Sequence, residues 1–193
     1  WIAGISGILA IQLFAGSFST IQNQFIPESI MPLFEELKNQ MEKIYTEILG
    51  GGGTLNMIKG LAIGAIIPAV SEEVLFRGMM QRSLEQNWSP KRAIIWTGVI
   101  FGLIHFNPTD VVSLVVIGMY LGVLAYATRS LALPITVHFL NNAIAVVAIN
   151  LSQNNTGELP DGTQAWIAAL ICTTGLAGAI LAAMVVMRQR VEK

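Results

Sequence analysis

Two adjacent glutamates, Glu72 and Glu73, and the only two histidines, His105 and His138, all fall inside strongly apolar stretches of the chain. Ionisable side chains are costly at membrane depth, so a sequence that keeps them there uses them for chemistry. Carboxylates and imidazoles are the groups that take a proton from a water molecule and pass it to a leaving group. Around them stand Arg77, four positions after Glu73, and Asn141-Asn142, three and four positions after His138. On a helix, Glu73 and Arg77 share a face and can pair. Glu72 points about 100° away and stays free for another task. His138 and Asn142 also share a face, where both can donate hydrogen bonds toward a developing oxyanion. Each cluster alone admits a blander reading. Both glutamates could neutralise Arg77, His105 could be a core histidine bonded to a carbonyl, and Asn141 could be polar glue between helices.

The surrounding elements decide whether these groups meet. Of 193 residues, 53% are hydrophobic and 12% charged, with mean hydropathy +0.62. Soluble domains carry about 25% charged residues, so half that share points to a lipid environment. A net charge of -1 gives no footprint for nucleic acid, and a lone Cys172 excludes an internal disulfide and a cysteine-cluster metal site. Apolar runs at 2–21, 55–80, 93–106, 111–128, 131–151 and 165–187 read as spans, the third short for a full crossing. None alternates with period two, so they are helices.

The expected fold is therefore all-α, a polytopic transmembrane bundle of about six spans plus one amphipathic helix. That helix falls within 27–50, where Ile30, Leu33, Phe34, Leu37, Met41, Ile44, Tyr45 and Ile48 recur at helical spacing. Gly50 to Gly53 then end it and join it to the next span. The parts divide as 1–54, a span with the amphipathic segment, 55–151, a core carrying the polar clusters, and 152–193, a loop and final span. Trp1 runs straight into apolar sequence without an initiating Met or the basic start of a signal peptide, which leads us to expect further sequence upstream.

Lys and Arg set the orientation. Arg82, Lys91, Arg92, Arg129, Arg188, Arg190 and Lys193 all fall on one side if every run crosses, and the positive-inside rule makes that side cytoplasmic or stromal. Lys38, Lys43 and Lys59 on or near the other side count against this, but five glutamates accompany the first two in their segment. At ~1.5 Å per residue, Glu72 lies ~15 Å from the level of Arg82, His105 ~20 Å from Arg92 and His138 ~13 Å from Arg129. Three polar clusters at comparable depth imply one shared cavity, since polar groups facing lipid are each costly.

Taken in order, Glu72-Glu73-x-x-x-Arg77, Phe101-x-x-x-His105 and His138-x-x-x-Asn142 resemble the CPBP family, which comprises CAAX prenyl proteases and bacteriocin-processing enzymes and is also called Abi. The stretch from Gly118 through Arg129-Ser130-Leu131 to Pro134-Ile135 looks like the family's link into its last motif, so the resemblance covers about 68–143. It implies an intramembrane glutamic endopeptidase of the CAAX-protease type, embedded in a bacterial inner membrane or an organellar membrane. The implied roles are Glu72 as general base with His105 assisting, Glu73 orienting the site through Arg77, and His138 with Asn142 binding the oxyanion. The implied substrate is a membrane-associated peptide or protein. No cofactor, metal or nucleic acid is expected, and a place in a larger membrane complex stays open.

Three rivals remain at this level. Two Glu and two His could hold Zn²⁺ with an open position for water, although His-Glu-x-x-His is absent. A scaffold or assembly factor could keep the fold without turnover. A proton-coupled transporter could use the same residues, but no internal repeat supports it.

Overall fold

The structure, a computed structural model, describes residues 1–50, 53–152, 174–175 and 177–188. Among these residues it is all helical, without strands. The elements are α1 (Ile2–Asn23), α2 (Met31–Leu49), α3 (Gly53–Leu84), α4 (Pro90–Ile104), α5 (Val111–Thr128), α6 (Ala132–Ser152) and α7 (Ala177–Arg188).

Among the described residues, three helices, α3, α5 and α6, are long and apolar enough to cross a membrane, and α1 and α7 hold shorter apolar stretches, 2–18 and 177–188. The run at 93–106 becomes the 15-residue α4, about 22 Å long against a hydrocarbon core of about 30 Å. It starts at Pro90 and stops at His105 because Phe106 adopts a positive φ of 49° and turns the chain. The buried Asn107 fixes that turn, accepting from the backbone N–H of Thr109 at 3.1 Å and its hydroxyl at 2.6 Å. Of the run at 165–187, the part 165–173 lies outside the described residues; α7 holds most of the rest.

α3 is continuous over 32 residues but not regular. Two stretches, Ala62–Ile66 and Val74–Gln81, widen into π turns. The first precedes Pro68, which has no N–H to donate; the Ile67 N–H bonds to the Ala62 carbonyl instead. The second begins directly after Glu73 and carries Arg77. Such widened turns recur at functional sites.

α4 and α5 form the tightest pair. A Cβ on Gly118 would meet the Gly98 Cα at 3.0 Å, and one on Gly102 would meet the Val111 carbonyl at 2.9 Å. Glycines spaced four apart on both helices therefore let the backbones touch, as the small-residue spacing implies. α1 docks on α5 and α6. Tyr120 donates its hydroxyl to the Gly4 carbonyl at 2.9 Å, and any side chain at Gly7 would collide with the same ring. The core between these helices contains Ile8, Ile11, Phe76, Phe101, Leu121, Leu124 and Val137.

α2 is the expected amphipathic helix, and no residue in it is fully buried. Its last turn is seated on α3, where a Cβ on Gly60 would meet the Leu49 carbonyl at 2.7 Å. Asn150 of α6 holds the same carbonyl with a 2.9 Å hydrogen bond.

Candidate active site

Arg77 is the buried anchor of the site, with 1% of its surface exposed. Its Nη1 donates to Glu73 Oε1 at 2.9 Å, and its Nη2 donates to the Gly118 carbonyl at 2.7 Å. One turn on, Gln81 repeats the pattern, donating to the Gly122 carbonyl at 3.0 Å. Both accepting carbonyls belong to glycines of α5, and at Gly122 the bare Cα makes room for Gln81, whose Oε1 would lie 2.9 Å from a Cβ there. The expected Glu73–Arg77 pair is therefore present, and it is buried completely on both sides.

Phe101 packs these charges. The Arg77 guanidinium lies 4.7 Å from its ring centroid, within cation–π range. The same ring stands 4.7 Å from that of His105 and meets His138 edge-on at 5.8 Å. The phenylalanine in Phe101-x-x-x-His105 thus touches Arg77 and both imidazoles.

The imidazoles are held by their Nδ1 atoms. His138 Nδ1 donates to Glu73 Oε1 at 3.0 Å, and His105 Nδ1 donates to the Phe101 carbonyl at 2.6 Å. A carbonyl and an ion-paired carboxylate only accept, so each Nδ1 carries the hydrogen and each Nε2 is left for other work. Both Nε2 atoms face Glu72. His105 Nε2 lies 3.8 Å and His138 Nε2 3.9 Å from Glu72 Oε2. That oxygen has no hydrogen-bond partner among the described residues.

Glu72, His105, His138 and Asn142 line a cavity of about 420 Å³. Asn141, also on its wall, donates from Nδ2 to Asn142 Oδ1 at 3.0 Å. The structure therefore gathers all six expected residues. Glu72, His105, His138 and Asn142 face the cavity, while Glu73 and Arg77 stand behind them.

Two contributions were not foreseen. Gln12 of α1 donates to Asn141 Oδ1 at 2.7 Å, and its signal in the sequence was an amide inside an apolar run. The second is α2, whose Ile44, Tyr45, Ile48 and Leu49 wall the cavity. Helical spacing marked Ile44, Tyr45 and Ile48 as one face but gave no hint of what it covers. Among the described residues, no three His, Cys, Asp or Glu side chains are arranged to hold a metal ion.

Residues 54–144 match the family model described as Type II CAAX prenyl endopeptidase Rce1-like. Comparison with curated proteins and with solved structures gave no match. The matched segment contains all six site residues and leaves α1, α2 and α7 outside it. The family is one of membrane-embedded proteases, in keeping with three helices here that can cross a bilayer. Over 54–144 the chain is thus similar to the Rce1-like CAAX protease family, the same CPBP group that the three motifs resemble.

Proposed function

We propose that the chain is an intramembrane endopeptidase in which Glu72 activates water to hydrolyse a peptide bond of a membrane-associated peptide or protein. The observation that carries this reading is the approach of two imidazole Nε2 atoms to one carboxylate oxygen, at 3.8 and 3.9 Å. These gaps exceed direct hydrogen-bond reach, and one bridging oxygen atom fits them.

Glu72 takes a proton from a water molecule as its oxygen attacks the scissile carbonyl carbon. The carbonyl π electrons move to oxygen, giving a tetrahedral oxyanion. His138 Nε2, when protonated, and Asn142 Nδ2 donate to that oxygen, and their distance from bulk water strengthens both bonds. The C–N bond then breaks, and Glu72 returns the proton to the leaving amine. His105, with Nδ1 tied to the Phe101 carbonyl, keeps Nε2 on the attacking water. Glu73 does not react. It is occupied by Arg77 and His138 and holds the His138 ring in one tautomer.

The apolar wall from α2 suits an extended peptide with apolar side chains. The test is the purified chain with a peptide library, comparing wild type with Glu72→Ala and His138→Ala, each with and without a strong chelator. Cleavage lost in both variants and indifferent to chelator supports the reading. Chelator-sensitive cleavage rescued by Zn²⁺ replaces it with a metal mechanism.

A further inference from the structure

The two asparagines beside the cavity are joined to α1 by a directed chain of amides. Gln12 Nε2 donates to Asn141 Oδ1 at 2.7 Å and lies 3.3 Å from the Asn141 backbone oxygen. Asn141 Nδ2 donates in turn to Asn142 Oδ1 at 3.0 Å. A side-chain amide accepts through oxygen and donates through nitrogen, so the direction of the chain follows from its first member. That member is fixed, because a backbone carbonyl only accepts and both oxygens of Asn141 face the same nitrogen. With its oxygen occupied, Asn142 has only Nδ2 left to offer on the cavity it lines with Glu72 and His138.

We propose that Gln12, outside the family-matched segment, is a positioning residue that sets the polarity of the Asn141–Asn142 amides and so turns Nδ2 of Asn142 toward the reacting carbonyl. The inference rests on the oxyanion role given to Asn142 above. The placement of Gln12 is itself secured. Tyr120 bonds the Gly4 carbonyl two turns earlier on α1, and Leu133 of α6 packs at 3.0 Å from where a Gly4 Cβ would stand. A helix held at this point presents Gln12 to Asn141 in a constant register.

Gln12→Glu tests the polarity with almost no change of shape. An ionised carboxylate only accepts, so Asn141 must turn its Nδ2 toward residue 12 and its oxygen toward Asn142. Asn142 then turns its own nitrogen back and presents Oδ1 to the cavity, where it repels the oxyanion. In the full-length chain in bilayer discs, kcat for Gln12→Glu at neutral pH is expected to fall on the order of 10²- to 10³-fold, the loss typical of removing one oxyanion donor. KM should stay within about twofold, because the donor acts mainly on the transition state. As pH falls, a protonated carboxylic acid donates again, so the ratio of variant to wild-type kcat should rise. Glu72, Glu73, His105 and His138 face the same site in both proteins, and taking the ratio removes their shared contribution. Gln12→Met, which removes the donor without reversing the amides, should lose less activity and show a pH-independent ratio.

A Gln12→Glu enzyme with unchanged kcat, or with a loss equal to that of Gln12→Met at every pH, overturns the inference. The failure of the protease reading is separately visible as no cleavage by the wild-type chain, and the failure of the Glu72 role as cleavage by Glu72→Gln equal to wild type. The amide polarity then remains readable from the side-chain signals of ¹⁵N-asparagine-labelled protein. Gln12→Glu should shift the signals of both Asn141 and Asn142, and an unmoved Asn142 signal contradicts the proposal.

Discussion

Nδ1 of His138 donates to Oε1 of Glu73 at 3.0 Å, across 65 positions of the chain. The same oxygen receives Nη1 of Arg77 at 2.9 Å. One carboxylate thus serves a buried cation and a cavity imidazole together, which leaves the neighbouring Glu72 with no cation to neutralise. Two adjacent residues of one type acquire different work because successive helix positions point about 100° apart.

The two glutamates should therefore respond differently to the same substitution. Glu73→Gln removes the counter-charge of a fully buried Arg77 and is expected to cost about 3–5 kcal/mol of stability, the usual penalty for breaking a buried pair. Glu72→Gln removes no ion pair with Arg or Lys and should leave the unfolding transition nearly where it was. Denaturant unfolding of the detergent-solubilised protein distinguishes the two, and equal effects would contradict the assignment.

Phe101 should behave as part of the site as well as of the core. Phe101→Leu keeps an apolar side chain but removes the ring under Arg77 and beside both histidines. We expect a loss of about 1–3 kcal/mol from reduced packing and the lost aromatic contacts. Cleavage should fall further than stability explains, as measured at a temperature where the variant is fully folded.

At Gly118 the backbone itself is the constraint. Gly118→Ala places a methyl 3.0 Å from the Gly98 Cα and 3.1 Å from its carbonyl oxygen, neither of which can swing aside. α4 and α5 must separate, at a cost of about 1–3 kcal/mol for overpacking, and the carbonyl bonded by Arg77 moves with them. Lower thermal stability together with reduced activity is expected; an unaltered unfolding temperature would show that the crossing can relax.

Much of this was legible in the sequence because the physics is local. Apolar runs, the Glu73–Arg77 spacing and the small-residue spacing at Gly98, Gly102, Gly118 and Gly122 depend on neighbours within one helix or on a general cost of polarity in lipid. The convergence of Glu72, His105 and His138 followed from that same cost. What stayed hidden was non-local. Nothing in a linear chain tells that Gln12 meets Asn141, that His138 takes Glu73 rather than a carbonyl, or that α2 covers the cavity. Where α4 stops stayed hidden too, because apolar character does not fix where a helix ends. The positive φ of Phe106 and the Asn107–Thr109 bonds end α4.

α2 offers a test of how the cavity is walled. Asn150 Nδ2 donates to the carbonyls of Leu49 and Val146 at 2.9 and 2.8 Å. Asn150→Leu removes the tie to α2 at a cost of about 1 kcal/mol. Amide hydrogen exchange should accelerate several-fold in residues 44–49 and stay unchanged across 93–104. Uniform acceleration in both segments would indicate a general loss of stability instead.

The central claim is that Glu72 is the proton acceptor for the attacking water. The most direct measurement is single-turnover cleavage of one peptide identified as a substrate, comparing wild type with Glu72→Gln at matched folding and substrate occupancy. The account requires the glutamine enzyme to bind the peptide as before and to cleave it at least about 10²-fold more slowly, the lower end of what a positioned general base contributes. Cleavage by Glu72→Gln within twofold of wild type would contradict it.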